Sequence, residues 1–75
     1  MEELLKVLKN VKPGVDFENN ESLIDDEILD SFDIITLVSA LDEEFDIQIT
    51  AKDIVPENFN SAKAIYDLVQ RLEEE

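Results

Sequence analysis

Few residues in this chain are of types that do chemistry, and the best placed is Ser31, in the run Asp30-Ser31-Phe32-Asp33 where a regular apolar pattern begins. A serine in the first turn of a helix lies beside backbone N–H groups that have no intrahelical partner. It also sits at the positive end of the helix dipole, where a phosphate is favoured. Taken by itself, the position fits an ordinary cap or first-turn serine better, because serine is a preferred residue there. Of the other serines, Ser22 falls in an irregular stretch and Ser61 reads as a helix cap. Ser39 falls in mid-helix, where its hydroxyl is expected to be less accessible. The chain has no histidine and no cysteine. That removes the commonest general base, the Ser-His-Asp and Cys-His arrangements and any thiolate metal site. The acidic stretch after the first helix lacks the Asp-x-[Asp/Asn]-x-[Asp/Asn]-Gly pattern of a calcium loop, so no metal site is expected.

The elements that must position Ser31 follow from apolar periodicity. Leu4, Leu5, Val7, Leu8 and Val11 share one helical stripe. Glu2 and Glu3 open that helix, and Lys6, Lys9 and Lys12 follow, an order that suits the dipole. Pro13-Gly14, with the only glycine of the chain, ends it. Residues 15–29 are irregular, with a capped turn possible at Ser22-Leu23-Ile24-Asp25. The apolar members Val15, Phe17, Leu23, Ile24, Ile28 and Leu29 are expected to fold back on the helices, because so short a chain cannot spare them. Asp30 then caps the second and clearest helix, with Asp33 three residues on and Ile34, Ile35, Leu37, Val38, Leu41 and Phe45 at helical spacing.

Asp42, Glu43 and Glu44 stand near the end of that helix, where acids oppose the dipole. Their presence points to a surface used for something other than helix stability. Residues 46–50 alternate as a strand would but have no partner strand, so an extended connector is expected. Residues 51–55 are expected to form a short helix that Pro56 stops. Asn60-Ser61 cap a last helix carrying Ala62, Ala64, Ile65, Leu68, Val69 and Leu72, which frays at Glu73, Glu74 and Glu75. The fold class is all-α: a small four-helix bundle of three main helices and a short third one, in a single domain over residues 1–75. The long first loop and the short third helix are expected to move more than the main helices.

Composition narrows the partners. The formal net charge is −14, from 20 acidic and 6 basic residues, so nucleic acid and anionic lipid are repelled and basic protein patches attract. With 44% hydrophobic residues in a periodic arrangement, the chain is expected to fold despite its charge. The N-terminus shows no basic start followed by an apolar run, and no stretch approaches membrane-spanning length. A soluble, cytoplasmic monomer without stable membrane insertion is the expectation.

The stretch of residues 27–49, with Asp30-Ser31-Phe32 opening a helix that closes on Glu43-Glu44-Phe45-Asp46, resembles the phosphopantetheine attachment region of acyl carrier proteins. That family shares an Asp-Ser-[Leu/Phe] motif followed, at this spacing, by an acidic Glu-Glu-Phe-Asp turn. The small four-helix plan, long first loop and heavy negative charge extend the resemblance over essentially the whole chain. It implies that a phosphopantetheinyl transferase, using coenzyme A and a divalent cation, joins 4′-phosphopantetheine to the Ser31 hydroxyl as a phosphodiester. The thiol of that arm then carries cargo as a thioester, and the protein itself catalyses nothing. It further implies that Asp30, Asp33, Asp42 and Glu43, with Phe32 and Ile35 as apolar contacts, face basic patches on acyl- or aminoacyl-transferring enzymes. Two positions depart from the pattern. Thr36 stands where many fatty-acid carriers have glutamate, and Ser39 where they often have methionine.

Phe32 after the serine, and Phe59-Asn60-Ser61 before the last helix, are similar to D-alanyl carrier proteins. Asp33, in place of the glycine often found there, and the acidic turn are closer to acyl carriers. An acyl carrier in the broad sense is expected, with an aminoacyl carrier for cell-wall or secondary metabolism as the alternative. A reading of another class is a small acidic helical adaptor, never modified, that binds a basic partner through the second helix.

Overall fold

The computed structural model describes residues 1–74. Four helices follow one another: α1 Glu2–Val11, α2 Ser31–Phe45, α3 Pro56–Phe59 and α4 Ala62–Glu73, with one 3-10 turn at Ala51–Asp53. No strand occurs among the described residues. Helix α1 buries Leu4, Val7 and Leu8, α2 buries Leu37 and Leu41, and α4 buries Ala62, Ile65, Leu68 and Val69. The three long helices meet around these residues. Each fully buried leucine or phenylalanine contributes about 1.5–3 kcal/mol of hydrophobic stabilisation, so a domain this small depends on every one.

The long loop behaves as its composition demands. Phe17, Leu23 and Leu29 enter the core, and Val15, Ile24 and Ile28 pack against it half-buried. Gly14 takes φ +88° just beyond α1, a conformation that strains any side chain, and turns the chain into the loop. A turn at Ser22 is closed by the Asp26 N–H donating to the Ser22 carbonyl at 2.8 Å. The Leu23 N–H donates to the Asn60 carbonyl at 2.9 Å. The Asn60 Oδ1 accepts from the N–H groups of Ile24 and Asp25 at 3.0 and 3.1 Å. One side chain at the α3–α4 junction thus fixes the middle of the loop.

Residues 47–50 form the irregular connector expected after α2, with Ile49 buried, but Asp46 is not extended: it is the C-cap of α2 in a left-handed conformation, φ 53°, which turns the chain out of the helix. The next segment corrects the sequence reading. Pro56 does not stop a helix over residues 51–55; it begins α3, at the first helical position. There its fixed φ and missing N–H cost nothing, since the first N–H of a helix has no intrahelical acceptor. Ser61 caps α4, its Oγ accepting from the Ala64 N–H at 3.0 Å. Glu73 is still helical and Glu74 is the C-cap; Glu75, included in the expected fraying, lies outside the described residues. No helix among the described residues is long and apolar enough to cross a membrane.

Candidate functional site

The start of α2 is built from two aspartates. Asp30 is the N-cap in an extended conformation, and its Oδ1 accepts from the Asp33 N–H at 2.9 Å. In return the Asp33 Oδ2 accepts from the Asp30 N–H at 3.1 Å, which completes a capping box. The first intrahelical-type bond runs from the Ile34 N–H to the Asp30 carbonyl at 3.0 Å. Ser31 therefore stands at the first helical position, exposed. The N–H groups of Ser31 and Phe32 belong to the first turn, where no helical acceptor exists.

Lysine 12, at the C-cap of α1, ties this start to the rest of the molecule. Its Nζ donates to the Asp33 Oδ2 at 2.7 Å and to the Ile28 carbonyl at 2.6 Å. The ammonium and the Asp30 N–H hold the Asp33 carboxyl below the usual carboxylate range.

An open groove of about 800 Å³ begins at Ser31, lined by Ile24, Glu27, Leu29, Asp30, Ile34, Ile35 and Ile54. Adjoining it, with Ile24, Ile34 and Ile54 in common, is a smaller apolar pocket of about 130 Å³ completed by Val55, Pro56 and Phe59. The groove runs between the start of α2, the end of the long loop at Ile24, Glu27 and Leu29, and Ile54. Its carboxylates, Glu27 and Asp30, stand among isoleucines and a leucine. Glu27 has φ 58°, a left-handed conformation uncommon for a side chain of its kind.

The residues singled out in the sequence do not all converge. Asp30, Ser31 and Ile35 share the groove. Phe32 is 81% exposed and Ile35 65% exposed, so α2 presents two large apolar side chains to solvent beside the serine. Asp33 is turned to Lys12. Asp42 and Glu43 sit at the other end of the helix, about 16 Å from Ser31 by helical rise. Asp42 is half-buried, and its Oδ1 accepts from the Ile49 N–H at 2.9 Å, so it anchors the connector after α2. Its position among the acids at the end of α2 gives no sign of that structural task. Glu43 and Glu44 are exposed.

The accessibility expected of Ser39 is also corrected. Ser39 is exposed, because it lies on the face of α2 opposite Leu37 and Leu41. What separates it from Ser31 is the helix start and the groove, not solvent access. Ser22 is half-buried with its N–H donating to Asn20 Oδ1 at 2.8 Å, and the Ser61 hydroxyl is occupied in its cap.

Three residues with clear tasks escaped the sequence reading: Lys12 as a bridge, Asn60 as a loop anchor and Asp42 as a connector anchor. Lys12 carried one signal, its place at the end of an amphipathic helix. Its partner is 21 residues distant, beyond what periodicity reports. Among the described residues, no group of three or more acidic side chains is arranged to hold a metal ion.

An exposed hydroxyl at a capped helix start, opening on an apolar groove, is suited to carry a phosphodiester with an aliphatic extension. The first-turn amides and the helix dipole favour the phosphate, and the groove has room for a chain. Residues 1–72 match the family described as phosphopantetheine attachment site. The chain is 38% identical over 53 residues to the acyl carrier protein of Buchnera aphidicola subsp. Baizongia pistaciae (strain Bp), covering 71% of this chain and 65% of that one. It is 41% identical over 51 residues to the acyl carrier protein of Buchnera aphidicola subsp. Schizaphis graminum (strain Sg), covering 68% and 62%. The matched stretch thus spans less than two thirds of either relative's own length. No solved structure matches.

Proposed function

The chain belongs to the acyl carrier family of phosphopantetheine attachment domains, and on that premise we propose that Ser31 carries a 4′-phosphopantetheine arm donated from coenzyme A. The observation that carries this reading is the exposed Ser31 at the first position of a capped helix, at the mouth of an apolar groove. When attached, the arm supplies a terminal thiol on which cargo is held as a thioester. The chain's own residues then have simple tasks. Asp30 and Asp33 keep the helix start closed, so that Ser31 is presented outward. The first-turn amides of Ser31 and Phe32 face the phosphodiester charge. Ile24, Ile34, Ile35 and Ile54 offer aliphatic surface to the arm and to short apolar cargo.

The protein is a non-catalytic carrier in this reading, a single domain over residues 1–75 that a phosphopantetheinyl transferase modifies. Its cargo is an acyl group delivered to enzymes of fatty-acid or related biosynthesis. Partner enzymes approach the exposed face of α2, with Phe32 and Ile35 as apolar contacts and Asp30 and Glu43 as exposed acids meeting basic patches. Asp33 and Asp42 have less to offer a partner, because Lys12 and the Ile49 N–H already engage them. With a net charge of −14, long-range attraction to cationic partners speeds encounter and weakens with salt.

The test is to incubate the unmodified protein with a promiscuous transferase and coenzyme A and to record the intact mass. One added phosphopantetheine that vanishes in Ser31→Ala is expected. No mass gain with several transferases contradicts the reading and favours an unmodified adaptor.

A further inference from the structure

The side chain that joins Ser31's helix start to the rest of the fold is Lys12. Its ammonium bridges the end of α1, the loop carbonyl of Ile28 and the carboxylate of Asp33. Asp33 Oδ2 is also the atom that closes the capping box on Asp30, and Ser31 lies between those two aspartates. Core packing of Leu29, Ile34 and Leu37 seats the helix, and Lys12 adds the polar tie between its first turn and the end of α1. As a contribution to global stability the pair is modest, since its side chains are 36% and 21% exposed and solvent screens their attraction. Its location gives it a second consequence. The second ion pair, Lys9 with Glu18, is long at 3.7 Å, more than half exposed on both sides, and touches neither α2 nor the groove.

We propose that Lys12 is a positioning residue for Ser31: by clamping Asp33 and the Ile28 carbonyl together it holds the α2 start in the orientation in which the transferase accepts the hydroxyl. This role rests on the reading of Ser31 as the attachment residue. Lys12→Met keeps the aliphatic stem and removes the charge and both hydrogen bonds. Lys12→Arg retains a cation able to donate to both acceptors. A reacting atom displaced by a fraction of an ångström to one ångström loses roughly tenfold to a hundredfold in rate.

Steady-state phosphopantetheine transfer to the unmodified protein is expected to show kcat lowered by at least about tenfold in Lys12→Met, with KM little changed. Lys12→Arg restores most of the rate, and Lys9→Met behaves as wild type. Ser61→Ala, which removes the α4 cap and lowers global stability by a comparable or larger amount, keeps the wild-type kcat. Amide exchange over residues 31–34, read on unmodified protein, quickens in Lys12→Met and not in Ser61→Ala. A wild-type kcat in Lys12→Met, a loss shared equally by Ser61→Ala, or a failure of Lys12→Arg to restore the rate overturns the proposal. An unmodified wild type overturns instead the assignment of Ser31 on which it stands.

Discussion

Asn60 gives the sharpest structural prediction, because one amide side chain holds a long loop against the bundle. Truncation by Asn60→Ala removes the Oδ1 that accepts from Ile24 and Asp25 at 3.0 and 3.1 Å. It also removes the long Nδ2 contact to Asp25 Oδ2 at 3.4 Å. The backbone bond from Leu23 to the Asn60 carbonyl survives. The Asp25 amide is exposed and regains water, so its loss is near the net worth of one hydrogen bond, about 1 kcal/mol. The Ile24 amide is partly buried and recovers less, at about 1–2 kcal/mol. The sum is about 2–3 kcal/mol, against a total stability of about 4–11 kcal/mol for a domain of this length.

The melting temperature should then fall by about 8–24 °C. Urea unfolding followed by circular dichroism reads the loss directly, with an unchanged slope if the native state keeps its compactness. Asn60→Asp keeps the acceptors for both amides but sets a second carboxylate against Asp25, so it should recover part of the loss and be sensitive to salt. An Asn60→Ala midpoint shift worth less than about 0.5 kcal/mol, the range of ordinary surface substitutions, refutes the anchoring role.

Other outcomes follow from the same structure. Asp33 has a folded-state pKa below its unfolded value, so its stabilisation is present in full above the ordinary carboxylate pKa near about 4 and is lost as pH falls through the lower folded value. The stability difference between wild type and Asp33→Asn, measured by urea unfolding across acid pH, should therefore shrink with acidification; a difference that grows contradicts it. Leu37→Ala empties a fully buried site on α2 and should cost about 2–5 kcal/mol, seen as a large fall in urea midpoint or outright unfolding. Amide exchange should be faster over residues 51–59 than over α1 and α2, because Ala51, Lys52, Ile54, Val55, Pro56 and Glu57 are exposed. Uniformly slow exchange there contradicts the expected mobility.

How much of this was legible in the sequence depends on the range of the interaction. The α1 stripe, the Asp30 cap with its Asp33 partner, the Ser61 cap and the inward turn of Phe17, Leu23 and Leu29 all follow from local rules. The structure places them as those rules predict. Pro56 was misread because a proline is compatible with the end of one helix and the first position of the next. Only the path of the following residues decides between them. Ser39 was misjudged because mid-helix position says nothing about which face a residue occupies, and its angular distance from Leu37 and Leu41 sets its exposure. The bonds of Lys12 to Asp33, Asn60 to the loop and Asp42 to Ile49 join residues whose proximity the fold creates. They explain why the helix start, the groove wall and the connector are fixed. Acids that look like free surface charge in the sequence, Asp33 and Asp42, turn out to be engaged, and the exposed face of α2 carries Phe32 and Ile35 beside Ser31.

The central claim, that Ser31 among the four serines bears the arm, is tested most directly by locating the added mass. Protein modified by a transferase with coenzyme A is fragmented intact, and the added phosphopantetheine is assigned to a residue. The expected result is one adduct on Ser31, with exposed Ser39 unmodified and Ser31→Ala unchanged in mass. An adduct on Ser39, or on any residue that persists in Ser31→Ala, contradicts the account.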